Sequence, residues 1–304
     1  MCIKSSDKFA VIGHPIGHTM SPFIHSRLFH LSGKAAPEYQ SMDIAPQDLA
    51  DSMSRLKQLR GFNITIPHKQ AILPLLDACS PQAAAFGSVN TVSVENGIAT
   101  GYTTDGIGCL KALEAAEISP KGRCLLLGSG GAARAIAFAF TEVCDTPDLT
   151  FAVREESLEK TRELCASLAL YAEKLGKTGK NTAIPYSLLE SRTEACLNKL
   201  SYDLLLNCTS VGMYPHTDRC AVSETVISHC GAVFDAVYNP HDTLLLKTAR
   251  KLGIPVVHGM AMLVWQAAAA HEIWYGASFC PEDMAKLTQE AAEEMERRFR
   301  EEAK

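Results

Sequence analysis

Lys69 follows an abrupt stop in the chain pattern. In Asn63-Ile64-Thr65-Ile66-Pro67-His68-Lys69 the alternation predicts a strand that sends Asn63 and Thr65 to one face and Ile64 and Ile66 to the other. Pro67 ends the ladder and suits a first helical turn. Lys69 would then sit where backbone N–H groups point outward and the helix macrodipole is positive. That field destabilises an ammonium, so a carboxylate partner is expected. Asp105, in Thr103-Thr104-Asp105-Gly106, is the candidate. Such a pair is either a plain ion pair lining a cleft or a device that holds and hands over a proton.

A second constellation is built from small residues. Leu125-Leu126-Leu127 runs into Gly128-Ser129-Gly130-Gly131-Ala132-Ala133, and Ile136-Ala137-Phe138-Ala139-Phe140 follows with a helical apolar pattern. This is the strand, glycine turn and helix of a dinucleotide fingerprint, with Gly128, Gly130 and Ala133 in the three small positions. Gly128 permits the tight turn, Gly130 lets a pyrophosphate approach the backbone, and Ala133 keeps the helix close to the strand. The next strand, Leu149 to Val153, ends at Arg154-Glu155-Glu156, where an adenosine ribose would lie. Arg154 suits a 2′-phosphate, whereas Glu155 or Glu156 suits a 2′-hydroxyl and repels that phosphate.

The elements that must position these residues are α/β in pattern. The 304 residues allow two domains with buried cores. From Phe9 to about Ile98 strand patterns alternate with helical ones, among them Pro22 to Phe29 and Ala71 to Leu76. That alternation predicts a mostly parallel open sheet with helices on both faces. A second unit begins near Gly101, with a helix over Thr104 to Glu117 broken by Pro120-Lys121-Gly122. Tyr171 to Asn181 reads as an exposed loop, and Glu290 to Lys304 as a solvent-facing helix of alternating charge.

Composition excludes several classes. A formal charge of -5 offers no basic face for a nucleic-acid backbone. No run approaches the roughly 18 apolar residues of a membrane span, and Met1 to Lys8 lacks the apolar core of a cleaved signal. The eleven cysteines, an odd number without a C-x-x-C pair, read for the most part as buried thiols, Cys124 and Cys208 among them, in a reducing cytoplasm. The ten histidines show no zinc spacing, so no metal is expected and His25, His68, His241 and His258 read as hydrogen-bonded histidines.

With the lysine, the aspartate and the nucleotide loop in hand, the chain resembles the shikimate dehydrogenase family, including its quinate/shikimate branch. Gly13-His14-Pro15-Ile16-Gly17-His18-Thr19-Met20-Ser21-Pro22 is similar to the opening motif, Gly61 to Lys69 to the catalytic-lysine motif, and Gly87-Ser88-Val89-Asn90-Thr91 to the asparagine motif. Downstream, Asn207 to Met213, Asp235-Ala236-Val237-Tyr238-Asn239-Pro240 and Gly259-Met260-Ala261-Met262-Leu263-Val264-Trp265-Gln266 resemble the remaining motifs. Departures are Thr19 for serine, Thr103 for asparagine, Ala261 for glycine, and Val153 and Glu155 in the usual Asn-Arg-Thr cofactor clamp.

The resemblance implies reversible reduction of 3-dehydroshikimate to shikimate with NADP, NAD being the alternative cofactor. It implies Lys69 and Asp105 as catalytic residues, and Thr19, Ser21, Thr65, Asn90, Asp105, Tyr238 and Gln266 around the substrate. Cofactor contacts would come from Gly128, Ser129, Gly130, Gly131, Ala132, Arg154, Ala236 and Gly259. The expected domains are a substrate-binding one, 1–103 with 262–304, and a Rossmann-type NAD(P)-binding one, 104–261, in a cytoplasmic monomer or homodimer with no nucleic-acid or membrane partner. Alternatives are an NAD-dependent quinate/shikimate dehydrogenase and a non-catalytic shikimate sensor on the same scaffold.

Overall fold

The computed structural model describes residues 7–17, 19–33, 37–191 and 201–302. Within the opening motif His18 lies outside them, as do most of the residues before Lys8 and the last two of the C-terminal segment. The chain divides into two compact units, Met1–Gly108 with Leu263–Glu293, and Cys109–Met262 with Glu294–Lys304. These divisions fall at 108/109 and 262/263, inside helices, rather than at 103/104 and 261/262, and the last eleven residues group with the middle of the chain.

In the first unit the order is β1 (Lys8–Gly13), α1 (Ser21–Leu31), β2 (Glu38–Asp43), α2 (Leu49–Leu56), β3 (Gly61–Ile64), α3 (His68–Ala71), β4 (Ala78–Cys79), α4 (Pro81–Phe86), β5 (Thr91–Glu95), β6 (Ile98–Tyr102) and α5 (Asp105–Ala115). Its six-stranded sheet runs β2-β1-β3-β5-β6-β4. The sheet is mixed: three of its five pairings are parallel, in keeping with the mostly parallel expectation, while β3 and β5 pair antiparallel, as do β5 and β6. The reason is local. Asn96 and Gly97 join β5 to β6 with positive φ of 53° and 79°, the two-residue turn that closes a hairpin.

Alternate residues of β1 feed two cores. Ala10 and Ile12 pack with Leu56, Phe62, Ile64 and Val92, while Phe9 faces Phe29, Ala270 and Trp274. Gly61 is a glycine because a Cβ there would lie 2.3 Å from Trp274 Nε1, which donates to Val92 O at 3.0 Å. Two local expectations fail nearby. Ile66 is 62% exposed because the strand has already ended at Ile64, and the helix expected over 71–76 stops at Ala71, giving way to a 3-10 turn at Leu73–Leu75 around Pro74, whose ring removes a backbone donor.

The second unit holds β7 (Arg123–Leu127), α6 (Gly131–Val143), β8 (Asp148–Val153), α7 (Leu158–Lys174), β9 (Lys180–Pro185), α8 (Tyr186–Glu190), β10 (Leu204–Asn207), α9 (Glu224–Ile227), β11 (Val233–Asp235), α10 (Leu244–Lys251) and β12 (Val256–His258). Its sheet is all parallel in the order β12-β11-β10-β7-β8-β9. The strand order reverses between β7 and β10, and ligands of such sheets bind beyond the carboxyl ends at that reversal. Strands buried on both faces read as unbroken apolar runs, and Cys124 to Leu127 and Leu204 to Leu206 are fully buried.

The segment expected as a loop over 171–181 is mostly regular: α7 continues to Lys174 and β9 starts at Lys180. Gly176 ends the helix with φ +70°, and the Lys177 ammonium donates to Thr141 O and Glu142 O at the end of α6. Helices α11 (Gly259–Tyr275) and α12 (Pro281–Glu302) complete the chain. The last is not wholly solvent-facing, since Ala291 and Met295 are buried. Among the described residues no helix is long and apolar enough to cross a membrane, no group of three or more His, Cys, Asp or Glu could hold a metal ion, and Cys109, Cys124, Cys144, Cys165 and Cys230 are buried free thiols.

Candidate active site and nucleotide loop

The end of β3 places Lys69. Thr65 N donates to Ile12 O at 2.9 Å and His68 N donates to Thr65 O at 3.0 Å, so the chain turns into α3 with Lys69 in its first turn. Lys69 Nζ then donates to Asp105 Oδ2 at 2.6 Å. Asp105 opens α5, where the helix start favours a carboxylate. The side chains are 16% and 5% exposed. Taking two charges this far out of water offsets most of their attraction, so such a pair contributes little to stability and calls for another purpose.

Asn90 supplies the other half of the carboxylate's surroundings. Its Nδ2 donates to Asp105 Oδ1 at 2.8 Å, and its Oδ1 accepts from Thr104 N at 2.7 Å. A backbone N–H can only donate, so the amide orientation is fixed and its donor faces Asp105. Gln266, 7% exposed, donates through Nε2 to Leu263 O at 2.8 Å and turns Oε1 to within 3.4 Å of both Asn90 Nδ2 and Thr104 Oγ1. Sequence reading missed Thr104, which is fully buried, and the layer behind it. Tyr39 donates to Asn63 Oδ1 at 2.7 Å, Asn63 Nδ2 donates to Thr91 Oγ1 at 3.0 Å, and Thr91 Oγ1 lies 3.4 Å from Thr104 Oγ1. The alternation that put Asn63 on one strand face was the available signal.

Thr19 and Ser21 come together at the start of α1, with hydroxyls 3.2 Å apart. Of the four histidines expected to be hydrogen-bonded, His25, His68 and His258 are, whereas His241 stacks on His258 with its Nδ1 buried and without a hydrogen-bond partner among the described residues; His68 Nε2, 2.6 Å from Ile44 O, anchors the turn that carries Lys69. Tyr238 lies in the second unit, half-buried in the segment after β11.

In the second unit Gly128 closes β7 with φ +88°, and a Cβ there would meet Thr209 Cγ2 at 2.8 Å. Gly130 caps α6 with nothing within 4 Å of its missing Cβ, while Ala133 is fully buried. The free amides at Gly131 and Ala132 thus open onto space beside a 13-residue helix, which suits a pyrophosphate. Ser129 Oγ lies 2.9 Å from Thr161 Oγ1. Gly259 and Ala236 are also brought together, since a Cβ on Gly259 would lie 2.6 Å from Ala236 O. At the tip of β8, Arg154 Nη1 is 3.1 Å from Glu156 Oε1, and Glu155 Oε1 accepts from Ser187 Oγ at 3.0 Å. Asp235, fully buried, accepts from Thr243 Oγ1 at 2.7 Å, Asn207 Nδ2 at 2.9 Å and Val237 N at 3.0 Å; burial still pushes its carboxyl up to about 6.

Known proteins agree with this arrangement. Residues 11–92 match the family profile described as the shikimate dehydrogenase substrate binding domain. The chain is 38% identical to "Shikimate dehydrogenase (NADP(+))" of Moorella thermoacetica over 94% of both chains. It is 38% identical to the protein of that name from Methanococcus maripaludis, over 90% of this chain and 94% of the relative. Among solved structures, a shikimate dehydrogenase in complex with NADP+ aligns with a TM-score of 0.79 at 31% identity, covering 95% of this chain and 97% of the other. Shikimate 5-dehydrogenase from Thermus thermophilus in complex with NADP(H) and shikimate aligns with a TM-score of 0.75 at 32% identity, covering 94% and 99%. The mixed sheet that presents a lysine to an aspartate, the parallel sheet with its glycine turn, and sequence identity across nearly the whole chain place this protein in the shikimate dehydrogenase family.

Proposed function

We propose that the protein catalyses the NADP-dependent, reversible reduction of 3-dehydroshikimate to shikimate. The observation that carries this reading is the 2.6 Å contact between Lys69 Nζ and Asp105 Oδ2, in a chain whose relatives are named shikimate dehydrogenases acting with NADP(+). The first unit is the substrate-binding domain and the second the NADP-binding domain. When bound, NADPH supplies the hydride. As the carbonyl carbon is reduced its oxygen gains negative charge, and the Lys69 ammonium stabilises and then protonates it. In the oxidative direction the neutral amine takes the hydroxyl proton. Asp105 holds that amine in place and accepts from a neighbouring ring hydroxyl.

Thr19 and Ser21 donate to the substrate carboxylate without adding a fixed charge, beside the amides of the α1 start. Thr65, Asn90 and Gln266 serve the ring hydroxyls. The amides at Gly130, Gly131 and Ala132 with Ser129 hold the pyrophosphate, Ala236 and Gly259 line the nicotinamide end, and Arg154 takes the 2′-phosphate.

One feature favours a second reading, an NAD-dependent quinate/shikimate dehydrogenase: Glu156 occupies the Arg154 guanidinium. Steady-state rates with NADP and NAD, crossed with shikimate and quinate, decide between them. NADP with shikimate is expected to give the highest kcat/KM, and highest turnover of quinate with NAD would replace the proposal. Arg154→Ala should raise the KM for NADP roughly tenfold, the scale of one charge-assisted hydrogen bond, and leave that for NAD nearly unchanged. Equal losses would remove Arg154 from 2′-phosphate recognition.

A further inference from the structure

A titratable cluster outside the hydride-transfer site braces the segment that carries Ala236 and Tyr238. His241 lies in the connection from β11 to α10, and His258 is the last residue of β12, immediately before Gly259. Their imidazole rings stack with centroids 4.3 Å apart and planes within 7°. Asp242 receives a two-pronged hydrogen bond from Arg250 of α10, at 2.9 and 2.8 Å. His258 Nε2 lies between these partners, 3.3 Å from Arg250 Nη2 and 3.4 Å from Asp242 Oδ1.

The stack joins two segments that the proposed function places at one end of the cofactor. Val237 N is held by Asp235 Oδ1 and Asn239 O accepts from Tyr214 N at 3.0 Å, so the backbone on both sides of Tyr238 is pinned. Gly259, one residue beyond His258, lies so close to Ala236 O that a Cβ does not fit. The two rings stack beside the pairing of β11 with β12, in which Asp235 sits opposite His258, and brace the Tyr238 segment against the start of α11, the helix that also carries Gln266.

Charge decides when the stack holds. Arg250 can only donate, so at 3.3 Å it is served by a neutral His258 presenting a lone pair, whereas Asp242 Oδ1, at 3.4 Å from the same nitrogen, can only accept and opposes this by favouring a proton there. The groups bearing on the pair are Asp242 from its own connection, Arg250 from α10, and Glu296 from α12, whose negative charge acts on His241. Burial holds both imidazoles below the ordinary histidine range, and His241 lowers His258 further.

Building on the proposed function, we propose that His241 and His258 are positioning residues. Their stacked neutral rings hold Ala236 and Gly259 in the spacing that the nicotinamide end of the cofactor needs, and protonation of the pair loosens cofactor binding. The consequence is a loss of NADP affinity in mild acid that belongs to the protein rather than to the cofactor's own phosphate.

The test measures the Kd for NADP by calorimetry between pH 7.5 and 5.5 for the unmodified protein and for His241→Phe, which keeps an aromatic ring and removes the proton. Comparing the two at each pH cancels titration of the cofactor. The unmodified protein should lose roughly threefold more affinity over that range than the variant, a difference set by the extra proton that binding must expel. Parallel curves would overturn the proposal. If the variant fails to fold, NMR titration of the histidine ring protons in the unmodified protein gives the same answer, because linkage is reciprocal and bound NADP must lower the apparent pKa of His241 or His258. Unchanged titration would overturn it equally. A protein that neither binds NADP nor oxidises shikimate at pH 7.5 would strike the functional reading itself, whereas normal binding with parallel curves would strike only the clamp.

Discussion

Lys69→Ala is expected to lower kcat for shikimate oxidation roughly 10²–10⁴-fold, the usual contribution of a positioned acid–base group, while the KM for shikimate changes far less. The asymmetry follows from where the amine acts. Thr19, Ser21, Asn90 and Gln266 make up a set of neutral contacts that the substitution leaves in place, and their hydrogen bonds to one another do not pass through Lys69. Asp105 keeps Asn90 Nδ2 at 2.8 Å and its place at the start of α5, so the carboxylate is not abandoned. Steady-state kinetics in both directions check this. A variant with near-normal kcat would remove Lys69 from the mechanism, and one whose loss lay entirely in KM would make it a binding residue.

The second large effect concerns stability in acid. His25 Nδ1 and His271 Nε2 lie 2.8 Å apart with both side chains fully buried. His271 Nδ1 meets the Tyr275 hydroxyl, which lies 3.3 Å from Ser32 Oγ, and Tyr39 stacks on His25 at 4.1 Å. Burial lowers His25 to about 3 and carries His271 well below the usual value, with His25 adding to the effect on His271. An unfolded histidine binds its proton near pH 6.5. Below that the unfolded state holds more protons than the folded one, so stability is lost as pH falls from about 6.5 towards 3.

At pH 5 His25 alone costs about 2 kcal/mol by this linkage, and His271 acts in the same direction. Replacing both by phenylalanine should make the protein less sensitive to acid than the parent, even if it is less stable at pH 8. Urea titrations followed by tryptophan fluorescence report on the right unit, since Trp265 and Trp274 are the two tryptophans of the chain and both lie in α11 on its first-unit side. The parent and double variant should converge in stability between pH 8 and pH 5. Curves that stay parallel would show that the pair is not buried as neutral imidazoles.

What could be read beforehand follows from how each feature is encoded. Lys69 was legible because a strand, a proline and a basic residue in succession leave few local structures, and the glycine turn was legible because its steric demands appear directly as residue types. The parallel sheet was legible for the same reason, as unbroken apolar runs separated by helices. The mixed character of the first sheet was encoded in Asn96-Gly97, but strand direction depends on which strands meet, and the alternation of strands and helices elsewhere concealed the hairpin. The continuation of α7 to Lys174 was hidden by a polar surface stretch, where composition resembles a loop although the stop is Gly176.

The supporting residues were least visible. Thr104 acts partly through its backbone N–H, which carries no residue-type signal. His25 and His271 are 246 positions apart, and His241 and His258 meet only because β11 and β12 are neighbours. Periodicity reports the face a residue lies on and not its partner on another element. The lysine–aspartate contact was legible because the field at a helix start demands a counter-charge and because Asp105 falls at the catalytic position that the family resemblance implies.

The most direct test of the account is a crystal structure of this protein with shikimate bound. It should show Lys69 Nζ within hydrogen-bonding distance, about 2.6–3.2 Å, of the ring hydroxyl that becomes the ketone, and an Asp105 carboxylate oxygen within the same reach of the hydroxyl beside it. Shikimate held elsewhere, or bound with the Lys69 amine turned away from that oxygen, would contradict it.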